Sequence, residues 1–241
     1  MDNQTTIGRL FGEDMITFVI PSYQRAYSWR VGKDGRVGQV DMFLNDIIDQ
    51  PDNSSYFLGH YLFEKTQGNR YELIDGQQRL TTTVIFMSCL VKELRKRKIV
   101  RFDYNNMQYA TEQIYERYLQ PRYGSQKFET VPEDSSFFNR LIIECDSDYR
   151  IETGRRSERR IREASSFFEE KMATQTEEGT LFKWFHVIDN AIITTFLLSG
   201  ESAKLTATQI FAFQNDRGLG LTTLDLGFKG LFLCHTDGKT Q

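Results

Sequence analysis

The chain has little of what most readily gives a protein's chemistry away. Its three cysteines, Cys89, Cys145 and Cys234, are far apart among apolar neighbours. With no C-x-x-C pair and an odd count, a disulfide framework is excluded, and a reducing, cytoplasmic compartment is expected. The three histidines, His60, His186 and His235, show no H-x-x-x-H spacing, and each reads as structural or exposed. No G-x-S-x-G, Walker A or G-x-G-x-x-G pattern occurs. Four prolines and no low-complexity tract leave no obvious linker. The opening MDNQTTIGRL lacks the apolar core of a signal peptide, and no apolar run approaches the length of a membrane span. No charge sign dominates: 30 basic against 33 acidic residues give a net charge of -3. That excludes the bulk basic signature of a nucleic-acid-coating protein but leaves a local basic patch open. What remains is an ordinary soluble composition, 39% hydrophobic and 26% charged over 241 residues, long enough for one large domain or two small ones with a real core.

Periodicity supplies the elements. FVIPSYQRAYSW (18 to 29) starts as a short strand that should end at Ile20, because the residue before a proline is biased to extended backbone. RVGKDGRVG (30 to 38) is a glycine-rich loop. Val40, Phe43, Leu44, Ile47 and Ile48 fall on one helical face that Pro51 terminates. YFLGHYLFEK and RYELID are strand-like, with hairpin chemistry in the intervening TQGN. RLTTTVIFMSCLVKELRKRK then presents Leu80, Val84, Met87, Val91 and Leu94 at alternating four- and three-residue spacing, a stripe on a long helix whose basic end, Arg95 to Lys98, complements the dipole. Beyond residue 100, TEQIYERYL, SSFFNRLII, SERRIREASSFFEEKM and GTLFKWFHVI read as amphipathic helices, while AIITTFLL (191 to 198) is a buried strand or a very apolar helix. The expected architecture is α/β: an N-terminal α/β region over residues 1–100, then a mostly helical extension over 101–241. The last part of that extension (206–234), helix, polar turn and helix, is expected to pack back on the first region.

Three stretches carry candidate chemistry. YELIDGQQRLTTT (71 to 83) runs from a strand through Asp-Gly into a helix. The unpaired N–H groups and positive dipole end of such a helix start form an anion site. Gly76 permits close backbone approach, and Gln77 and Gln78 each donate and accept hydrogen bonds. Arg79 can fork onto a phosphate, and Asp75 can hold a metal ion or orient water. The plainer alternative is a turn capped by Asp75, with Arg79 in a surface salt bridge. In IPSYQRAYSW, Gln24, Arg25 and the aromatic side chains suit stacking on a base or sugar together with phosphate binding, or else an aromatic staple. In FQNDRGLGLTTLDLGFK, Asn215, Asp216, Arg217 and Gly218 make a polar turn, and Asp225 and Lys229 share a helix face as an i,i+4 pair. The basic run GRRSERRIRE (154 to 163) could touch a nucleic-acid backbone, but its interleaved glutamates favour a solvated helix face.

Taken together and in this order, IPSYQRAYSW, YFLGHYLFE, LIDGQQRLTT and FQNDRGLGLTTLDLGFKGLF resemble the N-terminal domain of GmrSD-type, DGQQR-motif restriction proteins, bacterial anti-phage systems related in fold to ParB and sulfiredoxin. The match covers about residues 10 to 95 and 206 to 234. The resemblance implies a nucleotide-binding domain that hydrolyses a nucleoside triphosphate, with Mg²⁺ at Asp75, coupled to an HNH-like nuclease domain or subunit and directed at modified or foreign DNA. It assigns catalysis to Asp75, Gln77, Gln78 and Arg79. Nucleotide binding falls to Ile20, Tyr23, Gln24, Arg25, Gly76, Asn215, Arg217, Gly218, Asp225 and Lys229. Pro21 belongs to the same N-terminal motif. Two departures stand out: Ala26 where the family often has proline, and a longer loop at 30 to 38. The chain stops soon after Lys229, so it is expected to be a fragment or a stand-alone sensor subunit that does not cut DNA unaided. A DNA-modification sensor without catalysis is the alternative function; a bland helical scaffold would leave the DGQQR and NDRG turns unexplained.

Overall fold

A computed structural model of the chain describes residues 4–198, apart from residues 14, 53, 125, 147, 150, 152 and 153. The elements run β1 (Gln4–Thr6), α1 (Ile7–Gly12), β2 (Thr17–Val19), α2 (Gln39–Ile48), β3 (Phe57–Lys65), β4 (Arg70–Asp75), α3 (Gln77–Lys96), β5 (Arg101–Tyr104), β6 (Met107–Ala110), α4 (Thr111–Tyr118), β7 (Phe128–Glu129), α5 (Pro132–Phe138), α6 (Arg156–Ala173), α7 (Glu178–Asp189) and β8 (Ile192–Leu198). A π-helical turn, Asn139–Ile143, continues α5. The architecture is mixed α/β, as expected. Residues 1–197 form one compact unit. Residues 199–241 lie outside the described residues, and with them the late motif (Asn215, Arg217, Gly218, Asp225 and Lys229) and the expected return of 206–234.

One six-stranded mixed sheet, in the order β1-β8-β3-β4-β2-β7, organises the fold. The β3–β4 hairpin is antiparallel, and β2 runs parallel to both β4 and β7. The carboxyl ends of β4, β2 and β7 therefore emerge side by side along one edge, the place where ligands gather in open α/β sheets.

Helix α3 forms the spine of the core. Fifteen of its twenty residues are buried, all but Gln77, Arg79, Lys92, Arg95 and Lys96. The stripe from Leu80 to Leu94 lies inside it, but burial extends round the whole helix, which packs on α4, α6 and α7. Polar Thr81, Thr82 and Thr83 tolerate this because each hydroxyl donates to the carbonyl four residues earlier, at 2.7, 2.8 and 3.0 Å, leaving no donor unmet.

Several expectations are corrected. Ile48 is 42% exposed: it sits in the last turn of α2, rotated off the buried face of Val40, Phe43, Leu44 and Ile47. Residues 101 to 198 are less helical than their texture suggested. The β5–β6 hairpin turns on Asn105 and Asn106, both with positive φ, a pairing that suits asparagine in two-residue hairpin loops. Strand β7 has two residues and no readable period; of the two readings of AIITTFLL the strand holds, as β8 (Ile192–Leu198) in the main sheet. Among the described residues no helix is long and apolar enough to cross a membrane.

Candidate functional site

The DGQQR turn joins β4 to α3. Strand β4 continues through Asp75, which pairs with Leu62, so Asp75 is not the N-cap that the plain-turn reading made it. The cap is Gly76, at φ 89° and ψ 4°, and no side chain caps the helix start. Glycine is required there twice over. The backbone is left-handed, and a Cβ would stand 2.6 Å from the Tyr61 ring. The first-turn amides of α3 thus keep their hydrogen-bonding capacity at the positive end of a twenty-residue helix.

Arg79 is half-buried. One guanidinium nitrogen donates to the Leu58 carbonyl at 2.9 Å, and the group lies 5.6 Å from the Tyr61 ring centroid. Gly59 makes the room: a Cβ there would fall 1.9 Å from Nη1 of Arg79. The surface salt bridge of the plain-turn alternative is not found, since Arg79 forms no ion pair with a described residue. Near it are two buried polar atoms without a described hydrogen-bond partner, the Tyr61 hydroxyl and Oε1 of Gln77. Burial pushes the Tyr61 hydroxyl pKa well up, opposed by the nearby Arg79 charge. Tyr56, also close to Arg79, rises to about 12, chiefly through burial and then the Asp46 charge. These phenols remain neutral donors at physiological pH.

The segment leaving β2 lies against this turn, because β2 and β4 are parallel neighbours. Gln24 donates to the Ile74 carbonyl at 2.9 Å and accepts from Gln77 at 3.0 Å. Oε1 of Gln78 accepts from the Ser28 amide at 2.8 Å, and its Nε2 donates to the Ala26 carbonyl at 3.4 Å. The buried Tyr27 hydroxyl shares a 2.9 Å hydrogen bond with Thr82. Two of the sequence motifs therefore form one constellation. Gln78, 7% exposed, is engaged at both polar atoms and positions the 24–28 segment. Gln78→Ala should lower stability by about 2 kcal/mol, because the Ser28 amide would lose its acceptor in a buried setting; urea unfolding reads this directly, and an unchanged midpoint would show the contact to be dispensable.

The remaining expected residues are placed differently. Ile20 is buried core, and its amide donates to the Glu129 carbonyl at 2.8 Å, so neither its side chain nor its amide is open to a ligand. Tyr23 is 62% exposed, and no described hydrogen bond joins it or Arg25 to the turn. Arg25 instead lines a cleft of about 810 Å³ bounded by the 22–30 segment, the chain following β7, and the start of α6. Arg30, Arg155 and Arg156 line it too. Sequence reading missed this cleft; its one signal was the run GRRSERRIRE.

Beneath the cleft sits Asp134, fully buried, accepting from Ser157 at 2.7 Å. Its other carboxyl oxygen and one of buried Glu158 have no described partner. Burial, aided by the Glu158 charge and opposed by the Ser157 hydrogen bond, raises the Asp134 pKa. The folded state thus holds this proton to higher pH than the unfolded chain does. The stability Asp134 contributes is full below its unfolded pKa and lost as pH rises through the folded one. Asp134→Asn, which keeps an acceptor for Ser157, should be more thermostable than the parent at pH 8, with the gap closing toward pH 4; a gap that widens on acidification would contradict this.

No curated protein matches the chain. The sequence profile of the GmrSD restriction endonuclease N-terminal domain matches residues 7–232, spanning both motifs that meet at the start of α3 and the late motif beyond the described residues. The chain belongs to the GmrSD restriction endonuclease N-terminal domain family, a module of restriction and defence proteins.

Proposed function

We propose that the start of α3 binds a nucleoside triphosphate and promotes its hydrolysis, and that the chain is the nucleotide-dependent module of a restriction system directed at modified DNA, working with an HNH-like nuclease domain or subunit. The observation that carries the reading is Arg79: a half-buried guanidinium with no ion-pair partner among the described residues, beside an uncapped helix start. A buried charge is costly unless paired, and a phosphate would pair it. The unpartnered buried Gln77 oxygen supports the same reading, and the buried Tyr61 hydroxyl lies close to the Arg79 guanidinium. Each unmet buried polar atom costs about 1–3 kcal/mol, which a bound ligand and its water would recover. We take the sheet and its carboxyl-edge turn as ParB/sulfiredoxin-like.

In this reading the first-turn amides of α3 receive phosphate oxygens, and Arg79 neutralises charge that builds on the transferring group. Gln77, tied to Gln24, orients the attacking water through its unpartnered oxygen. Water attacks the γ-phosphorus, the β–γ bridging P–O bond breaks, and nucleoside diphosphate and phosphate leave, one proton passing to solvent. The Asp75 carboxylate makes no hydrogen bond or ion pair with a described residue, and among the described residues no group of three or more metal-ligating side chains converges. This donor set fits Mg²⁺ held mainly by phosphate and water, with Asp75 as the protein ligand; the ion would supply charge neutralisation at the phosphates. The test is a thermal-shift panel of nucleotides with and without Mg²⁺. A ligand at about a hundred times its Kd stabilises the fold by about 2.7 kcal/mol, and a panel without any shift would sink the reading.

A further inference from the structure

The basic run GRRSERRIRE sorts into two kinds of arginine. Some are used internally: Arg160 pairs with Glu163 at 2.5 Å, and Arg162 donates to the Tyr149 carbonyl at 2.9 Å while lying 5.1 Å from the Phe137 ring. Arg155 donates to the Glu133 carbonyl and to Glu158. Arg156 and Arg159 are exposed, and neither side chain has a hydrogen bond, ion pair or ring contact to a described residue. Arg156 faces the 810 Å³ cleft, across which stand Arg25 and Arg30. Both are exposed, and neither side chain has a described partner. The cleft thus gathers three unpaired guanidiniums and a fourth partly paired.

Two further features shape the walls of the cleft. Helix α6 starts at Arg156 with no side-chain cap. Arginines stand at its cap and first position, with Glu158 as the acidic residue of the first turn, paired with the cap Arg155 at 3.2 Å; Arg156 is left without such a partner. Second, Arg30 is held in place: its amide donates to Gln39 at 3.2 Å, and the loop that follows is tied to α2 through Asp41, which accepts from Gly32 at 2.6 Å. A fixed backbone presenting an unpaired arginine is a preorganised donor.

The geometry points to this cleft as the track for a nucleic-acid phosphodiester backbone, gripped by Arg25, Arg30 and Arg156, and adjoining the nucleotide site: none of residues 75 to 79 lines it, but Gln24, which accepts from Gln77, does. The inference rests on the DNA half of the function proposed above and is independent of the nucleotide half. All four cations are arginines, whose planar fork matches phosphate oxygens two at a time. An open cleft flanked by cations on both walls suits a continuous strand. Phosphate contacts of this kind set affinity and register without reading sequence.

The experiment is fluorescence anisotropy of a short labelled duplex with the full chain across a salt series, comparing wild type, the double variant Arg30→Ala/Arg156→Ala, and Arg159→Ala. The double variant should bind at least about tenfold more weakly and lose about 2 from the slope of log K against log salt, since each phosphate contact contributes about 0.9. Arg159→Ala, exposed on the same helix but outside the cleft, should match wild type. Both variants should keep the wild-type melting temperature, because no described side-chain partner is lost. An unchanged slope in the double variant, an equal effect of Arg159→Ala, or equal competition by polyglutamate at the same charge would each overturn the assignment. A wild type that shows the slope difference without any nucleotide-dependent thermal shift supports the cleft and overturns only the nucleotide reading.

Discussion

Gly76→Ala should destabilise the domain by about 2–6 kcal/mol, the largest of the stability effects expected at the DGQQR turn. Two terms add. At φ 89° and ψ 4°, any side chain pushes the backbone into a sparsely populated region, which costs about 1–3 kcal/mol. The new methyl would also start 2.6 Å from one Tyr61 ring carbon, 3.0 Å from the next, and 3.2 Å from the His60 carbonyl. Tyr61 cannot yield, being fully buried and stacked on Phe63 at 6.3 Å, so overpacking adds about 1–3 kcal/mol. For a chain of this size the melting temperature should fall by about 5–15 °C. Gly68→Ala separates the terms: φ is 67° there, with nothing within 4 Å of the added Cβ, so only the conformational part should appear, about 1 kcal/mol. Equal losses in the two variants, read by urea unfolding, would show that the Tyr61 contact does not limit the turn.

The same turn shows what local sequence can and cannot convey. The β3–β4 hairpin and the helix that follows are legible because their signals are local: aromatic, β-prone residues in YFLGHYLFEK, turn residues in TQGN, and four-three spacing from Leu80. The plain-turn alternative puts the cap one residue early, at Asp75 rather than Gly76. An aspartate before a helix is a good N-cap on propensity alone, but here it is held as the last strand residue by pairing with Leu62, and tertiary pairing overrides the local preference. The meeting of Gln24 with Gln77 and of Ser28 with Gln78 was not legible at all. These partners lie 53 and 50 residues apart and meet only because β2 lies parallel to β4. The resemblance to a family brought the two motifs into one set, but not which glutamine touches what. The arginine cleft was the least legible. Its third wall follows β7, a two-residue strand, and whether a basic run is a solvated face or a binding wall depends on which arginines find acidic partners. Glu163, interleaved in the run, takes Arg160 and also Lys33 from another element, while Arg156 is left unmatched.

Arg79→Ala should lower nucleotide turnover by about a hundred- to a thousandfold, the range seen when one preorganised donor to a developing charge is removed, and should abolish the Mg²⁺-nucleotide thermal shift. The argument is one of placement. Arg79 follows the first-turn amides of α3, so its charge and their dipole act on the same ligand. Its orientation is set before any ligand arrives, by the 2.9 Å bond to the Leu58 carbonyl, the Tyr61 ring and the space that Gly59 leaves, so little reorganisation is needed when charge develops. Loss of those contacts should itself reduce stability by about 1–2 kcal/mol, which leaves the domain folded and the kinetic comparison valid. Arg79→Lys discriminates further. It retains a charge but neither the planar fork nor the stacking on Tyr61, so turnover should fall between those of wild type and the alanine variant while nucleotide binding is partly kept. If charge alone mattered, lysine would restore wild-type turnover; if Arg79 served only to staple β3 to α3, both variants would melt earlier yet hydrolyse nucleotide at the wild-type rate, and the catalytic assignment would fall.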